Sequence, residues 1–180
     1  MVNVAILVGS LGKDSYSHKL AEHLKSRYAH KFDVNVISVD VPNYNEDLDN
    51  DESRPLSVTK MIEQVNKADA VFLITPEYNH SVTGIIKNKI DWLSRSRPGL
   101  SKKPGLAMAL SQGMTAGARA YAHLISILDT MPMYLLPGFD ILVGAVHKRF
   151  DENGKLVDQP TIDFIDLVIN EFETYYHKVK

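Results

Sequence analysis

Cysteine is absent from this chain of 180 residues. Without thiols the protein forms no disulfide, no thiolate metal site and no iron–sulfur cluster, and it has no cysteine nucleophile. A chain without cysteine suits a reducing compartment, so we expect a cytoplasmic protein. The seven histidines are dispersed without a His-x-x-x-His pair, and the sequence therefore predicts no metal site.

Strong charge and long hydrophobic runs are lacking too. Twenty basic and twenty-two acidic residues leave a formal charge of -2, which offers no positive field to nucleic acid or to an anionic membrane. No stretch approaches the roughly 18 apolar residues of a membrane span, and no cleavage site follows the apolar N-terminus. We therefore expect small molecules or proteins as partners, and neither nucleic acid nor a membrane.

Short apolar segments alternate with amphipathic segments along the chain. Strands are predicted at residues 2–8, 34–39, 70–74 and 106–110, with a last strand in two parts near 134 and at 141–145. Helices are predicted at residues 17–30, 57–67, 84–95, 117–131 and 161–177. Because parallel strands need crossovers, this alternation predicts an α/β fold with a doubly wound, five-stranded parallel sheet and helices on both faces. A hydrophobic content of 44% suits one core, so a single domain over residues 1–180 is expected.

Ligands of doubly wound sheets bind beyond the carboxyl ends of the strands, where the strand order reverses. The first loop at that edge, residues 9–17, offers three serine hydroxyls and free amides at a helix N-terminus, which suits a phosphate. Simple capping of the helix by the same serines is the alternative. The loop lacks the spacing of a P-loop, and no G-x-G-x-x-G occurs, so a mononucleotide fits better than ATP or a dinucleotide.

Two further loops follow the next strands. In residues 75–81, Pro76 restricts the backbone. The amides that follow it are therefore suited to hydrogen-bond the edge of a flat ring. The alternative is an ordinary surface turn. Residues 111–117 are small and allow close backbone approach, although the same pattern is typical of a helix entry. Three such loops on one sheet edge would together enclose one ligand.

Four segments of the chain form a set: Gly9-Ser10 with Ser15 before the first helix, Thr75-Pro76-Glu77-Tyr78-Asn79-His80-Ser81, Lys87-Asn88-Lys89-Ile90-Asp91-Trp92-Leu93-Ser94, and Gly117-Ala118-Arg119. Together they resemble the NADPH-dependent FMN reductase family, which includes bacterial quinone, chromate and azo-dye reductases. The resemblance covers nearly the whole chain, and P-E-Y-N followed by K-N-x-I-D-W is its most specific part. It implies a flavodoxin-like fold, bound FMN, and NADPH or NADH as co-substrate.

The resemblance also implies where FMN lies, with its phosphate in the first loop and its isoalloxazine ring against the other two. The cofactor-binding residues expected on this basis are Ser10, Gly12, Lys13, Ser15, Tyr16, Ser17, Pro76, Glu77, Tyr78, Asn79, Ser111 and Gly113. The chain departs from the family at three points, where Gly12 replaces an arginine, Ser17 replaces a common asparagine, and Ala116 precedes Gly117 in place of paired glycines. Lys13 is close enough in sequence to reach the phosphate as a point charge.

Flavin carries the redox step, so no catalytic side chain is predicted. The implied reaction is ping-pong, in which NAD(P)H leaves before a small-molecule acceptor binds: a quinone, an azo compound, free flavin or a metal oxyanion. Two alternatives stay open. One is a non-enzymatic electron carrier of the flavodoxin type, which the small net charge disfavours, and the other is a module that acts only through protein contacts. The resemblance further suggests a homodimer or homotetramer.

Overall fold

The computed structural model describes all 180 residues, and its strands form one parallel sheet with helices on both faces. The strands are β1 (Val2–Val8), β2 (Phe32–Ile37), β3 (Ala70–Pro76), β4 (Pro104–Leu110), β5 (Tyr134–Leu135) and β6 (Ile141–Val143). The helices are α1 (Tyr16–Arg27), α2 (Leu56–Lys67), α3 (Gly84–Ser94), α4 (Ala118–Leu128) and α5 (Gln159–Val179). None of these helices has the length and apolar character needed to cross a membrane. The predicted alternation of strands and helices is confirmed.

The strand order is β2-β1-β3-β4-β5, and β6 also pairs with β4. The fifth position of the sheet is therefore shared by two strands, because β5 pairs with Pro104 and Gly105 while β6 pairs with Met108 through Leu110. The amide of Leu136 still donates to the carbonyl oxygen of Gly105, and residues 137–140 connect β5 and β6 outside the ladder. The two-part last strand expected from the sequence is confirmed, with β6 ending at Val143 rather than at residue 145.

Each face of the sheet carries its own hydrophobic core. Side chains of α1 and α5 pack on one face, and those of α2, α3 and α4 pack on the other. Alternate residues of β1 go to the two cores, with Ile6 and Val8 in the first and Ala5 and Leu7 in the second. Burial on both faces explains why the central strands are continuous apolar runs without alternating polar residues.

At the ligand edge, β3 continues through Pro76 although we expected it to end at residue 74, and β2 ends at Ile37 although we expected residue 39. Pro76 pairs with Leu110 of β4, whereas β1 has already ended at Val8 opposite Ile74. The amide that proline lacks is therefore not needed for a ladder bond to β1. Helix α1 begins at Tyr16 because Ser15 is its N-cap, and it ends at Arg27 because Tyr28, the C-cap, leaves the helical backbone geometry.

Candidate functional site

The three loops meet around a cleft of about 400 Å³ at the carboxyl edge of the sheet. Its lining residues are Ser10, Asp14, Ser15, Tyr16, Ser17, Pro76, Glu77, Tyr78, Leu110, Ser111, Gln112 and Val146. The cleft lies where the strand order reverses, since β1 has β2 on one side and β3 on the other. The structure thus brings together residues that are far apart in the sequence.

Eight of the twelve residues expected to bind a cofactor line this cleft, and four do not: Gly12, Lys13, Asn79 and Gly113. Asp14 and Gln112 line the cleft without having been singled out, although both lie inside loops that the sequence identified. Val146 comes from the turn after β6, which no sequence motif marked. It reaches the cleft because its amide donates to the carbonyl oxygen of Ser111, with a nitrogen–oxygen distance of 3.0 Å.

The first loop is held by two of its own serines. The Oγ of Ser10 accepts from the amide of Gly12 at 3.3 Å, and the carbonyl oxygen of Gly12 accepts from the amide of Ser15 at 3.0 Å. Ser15 caps α1, because its Oγ accepts from the amide of His18 at 3.3 Å. Ser15 therefore caps the helix while it also lines the cleft, and the loop reaches a defined shape through its own hydrogen bonds.

Ser17 is different, because its hydroxyl is buried and has no hydrogen-bond partner. The residue is 1% exposed, lies in the first turn of α1 and lines the cleft. A buried polar group without a partner costs about 1–3 kcal/mol, which an oxygen of a bound ligand would offset. The first amides of a helix also lack intrahelical acceptors and favour an anion. The residues at this end of the cleft therefore fit the phosphate of FMN.

The second loop is a two-residue β-turn. Tyr78 and Ser81 exchange backbone hydrogen bonds of 3.0 Å in both directions, while Asn79 and His80 have φ angles of 50° and 65°. Two successive positive φ angles define a type I′ turn, in which asparagine is favoured at the first position. Asn79 was expected to contact the ring, but it lies at the exposed tip of this turn, outside the cleft lining. Asn79 stabilises the turn conformation that places Tyr78 at the cleft.

Substitutions in this turn are expected to change stability in opposite directions. Asn79→Ala should lower the free energy of unfolding by about 1 kcal/mol, because alanine tolerates the left-handed conformation poorly. His80→Gly should raise it by about 0.5 kcal/mol, since glycine adopts this conformation without strain but loses more chain entropy. Urea unfolding of both variants tests the pair. Destabilisation by His80→Gly would show that the imidazole makes a contact worth more than the backbone strain.

Glu77 connects the second loop to the start of α4. Its Oε2 accepts from the amides of Arg119 and Ala120 at 3.2 and 3.3 Å, and its Oε1 lies 3.4 Å from the Arg119 guanidinium. The N-cap of α4 is Gly117, which has no side chain to fill this role. Glu77 lines the cleft as expected, and its carboxylate also acts as the missing cap, which places a negative charge at the positive end of α4.

The third loop has a left-handed backbone at two successive residues, with φ of 57° at Ala116 and 83° at Gly117. Ser111 closes the start of the loop, because its Oγ accepts from the amide of Gly113 at 3.0 Å. Although Ala116 stands where the family has a glycine, the backbone at this position is still left-handed. Ala116 adopts a conformation that glycine takes more easily.

A doubly wound sheet with this strand order, whose cleft is bordered by a helix N-terminus after β1 and a tight turn after β3, defines a flavodoxin-like fold. The model of the family "NADPH-dependent FMN reductase" matches residues 2–148. A quinone reductase of Escherichia coli (strain K12) is 34% identical over 184 aligned residues, covering 99% of this chain and 97% of that protein. The chain belongs to the NADPH-dependent FMN reductase family and is an oxidoreductase with FMN as cofactor and NAD(P)H as reductant.

Two further similarities extend over nearly the full length. A 2-hydroxy-1,4-benzoquinone reductase of Burkholderia sp. is 28% identical, with coverage of 97% of this chain and 96% of that one. Among solved structures, the NAD(P)H:acceptor oxidoreductase FerB of Paracoccus denitrificans superposes with a TM-score of 0.82 at 31% identity, covering 99% of this chain and 98% of FerB. The flavodoxin-like fold implied by the sequence is confirmed.

Proposed function

We propose that this protein reduces quinones with electrons from NAD(P)H, through FMN bound in the cleft described above. The observation that carries the proposal is the unpartnered, buried hydroxyl of Ser17 at the helix end of a cleft whose other end is bordered by Tyr78, which is 56% exposed. The quinone reductases of Escherichia coli and Burkholderia support the choice of acceptor by their similarity to this chain.

The residues of the cleft have separable tasks in this proposal. The Ser17 hydroxyl and the first amides of α1 bind the phosphate, while Ser15 keeps the end of the helix in place. Pro76 and Tyr78 on one side, and Ser111 on the other, flank the ring. FMN, when bound, supplies the redox chemistry by accepting a hydride and passing electrons to the acceptor. The task of the protein is then to bind FMN, to orient its ring and to leave one face of the ring accessible.

Accessibility of the cleft supports a ping-pong order. Tyr78 borders the cleft and is more than half exposed, so the reductant and the acceptor have a common approach from solvent. One approach serves one molecule at a time, and the nicotinamide nucleotide must leave before the quinone binds. A common approach also suits several small, flat acceptors, because nothing in the lining selects for a protein partner.

The organisation of the chain belongs to the same proposal. Two cores on the two faces of one sheet support a single FMN-binding domain formed by residues 1–180. The lack of cysteine supports a cytoplasmic location, and the family resemblance supports a homodimer or homotetramer. Sedimentation equilibrium of the purified protein decides between these two assemblies and a monomer.

A spectroscopic titration tests the function. Addition of FMN to flavin-free protein should give a complex that survives gel filtration, loses its visible absorbance with NADH or NADPH under nitrogen, and regains it with 1,4-benzoquinone. Initial rates at several quinone concentrations should give parallel double-reciprocal lines. Binding of FMN without reduction by NAD(P)H would favour the electron carrier, and no binding of FMN would favour the module that acts only through protein contacts.

A further inference from the structure

Lys89 of α3 is a fully buried lysine that no step described so far uses. Its Nζ donates to the carbonyl oxygen of Val8 at 2.9 Å and to that of Ile37 at 3.3 Å. Both carbonyls lie at the carboxyl ends of their strands, β1 and β2, and Val8 immediately precedes the first loop. Lys89 lines a second cleft with Asp40 and Tyr78, and it does not line the cleft assigned to FMN. Any effect on the phosphate therefore acts through the loop and through charge.

The start of the first loop is tied to α3 at two successive carbonyls. Lys89 binds the carbonyl of Val8, and the Oγ1 of Thr83, the N-cap of α3, donates to the carbonyl of Gly9 at 2.7 Å. The amide of Gly9 in turn donates to Ile74 of β3 at 2.8 Å. These bonds fix the direction in which the chain leaves β1. Each of the two carbonyl oxygens accepts a hydrogen bond from Lys89 or Thr83, which partly offsets its negative partial charge near the first loop.

The first loop itself offers little positive charge. Its one basic residue, Lys13, is exposed, and water and salt screen an exposed charge strongly. A phosphate monoester carries about -1.5 to -2 charges at pH 7. A buried ammonium is screened much less, so Lys89 acts over a longer distance than Lys13. The positive charge of Lys89 reaches the region of the first loop. Burial lowers the pKa of His18 most, and the charge of Lys89 lowers that pKa next. The Nδ1 of His18 lies 2.9 Å from the Oγ of Ser15 in this loop.

We infer that Lys89 is a positioning residue for the phosphate loop, which holds the carbonyl of Val8 and supplies a buried positive charge that favours the phosphate of FMN. This inference rests on the proposed placement of the phosphate in the first loop. Burial lowers the pKa of Lys89 to about 8, while the nearby Asp40 raises it and limits the shift. A bound phosphate raises that pKa further. Binding of FMN at pH above 8 then requires proton uptake, and FMN affinity falls as the pH rises.

Calorimetric titration of flavin-free protein with FMN and with riboflavin tests the inference, because riboflavin lacks the phosphate. Lys89→Met should weaken FMN binding about tenfold and riboflavin binding by less than about twofold. Lys103→Met is the matched control. Lys103 is also buried and donates to backbone carbonyls, those of Asn66 and Ala68, but it lies just before β4 at the opposite edge of the sheet. Its loss should leave the preference for FMN over riboflavin unchanged.

A pH series on the unaltered protein gives a second measurement that needs no variant to fold. The preference for FMN over riboflavin should decline between pH 7 and pH 9.5, a range in which His18, with its pKa lowered below 6.5, and the phosphate, with its pKa of about 6, no longer titrate. Equal losses for both flavins in Lys89→Met, or a preference independent of pH, would overturn the inference while leaving the proposed function intact. No preference for FMN in the unaltered protein would overturn both the inference and the placement of the phosphate.

Discussion

Replacement of Gly12 by arginine should tighten FMN binding by about one to two orders of magnitude. A charge-assisted hydrogen bond to phosphate contributes about 1.5–3 kcal/mol, and about 1.4 kcal/mol corresponds to a factor of ten. The backbone permits the change, because Gly12 is not among the glycines with positive φ. A Cβ at this position would lie 3.8 Å from the Ser10 Oγ and 3.9 Å from the Ser15 Cβ, which are ordinary contacts.

Calorimetry with both flavins separates the charge of the new side chain from its effect on the loop. Riboflavin should gain little, and the gain for FMN should shrink as salt is added, because the loop is open to solvent. Gly12→Ala is the matched control, since it restricts the backbone without adding charge. A similar gain for riboflavin would assign the effect to loop rigidity, and no gain for either flavin would place the phosphate away from this loop.

Gly117→Ala should lower the free energy of unfolding by about 3 kcal/mol, the sum of a left-handed backbone and a steric clash. The φ of 83° is unfavourable for alanine. The added Cβ would lie 2.9 Å from the backbone nitrogen of Leu110 and 3.0 Å from the Cβ of Ala109. Both atoms belong to the buried strand β4, which cannot move aside without breaking its ladder. Urea denaturation gives the value directly.

The neighbouring substitution Ala116→Gly is the control for this prediction. Ala116 has a φ of 57°, so removal of its Cβ should relieve strain and raise the free energy of unfolding by about 0.5–1 kcal/mol. One variant adds a methyl group and the other removes one at the adjacent position, so their effects on the free energy of unfolding should be opposite. A loss of stability in both would mean that side-chain contacts, and not the backbone angles, control this loop.

Most of the fold follows from the period of the hydrophobic pattern. Strands buried on both faces have short apolar runs, and the amphipathic helices bury one stripe each, so their order and type are readable without the structure. The strand region near residue 134 and at 141–145 was readable from its apolar residues. Ends of elements were less accurate: the start of α1 depends on which loop hydroxyl caps it, and its end at Arg27 depends on the backbone of Tyr28, which no sequence signal marks.

The role of each site residue was harder to predict than its location. The sequence identifies the hydroxyl of Ser17, but only the structure shows that it is buried and unpartnered. The missing cap of α4 is visible at Gly117, whereas its replacement by Glu77 depends on how two distant loops meet. Lys89 lies in the K-N-x-I-D-W motif, and its burial against two strand ends is a tertiary property that helical spacing does not reveal.

The divided fifth strand has a consequence for how this protein can diversify. Strand β6 has its own ladder with β4 and carries the turn that brings Val146 to the cleft, while β5 is anchored separately at the other end of β4. Residues 137–140 lie between these two anchors, since Leu136 is still bonded to Gly105 of β4. Insertions or deletions there change the length of a connection without shifting the register of β6. That segment is therefore a place where descendants of this chain can acquire new surface features while the geometry of the cleft is inherited unchanged.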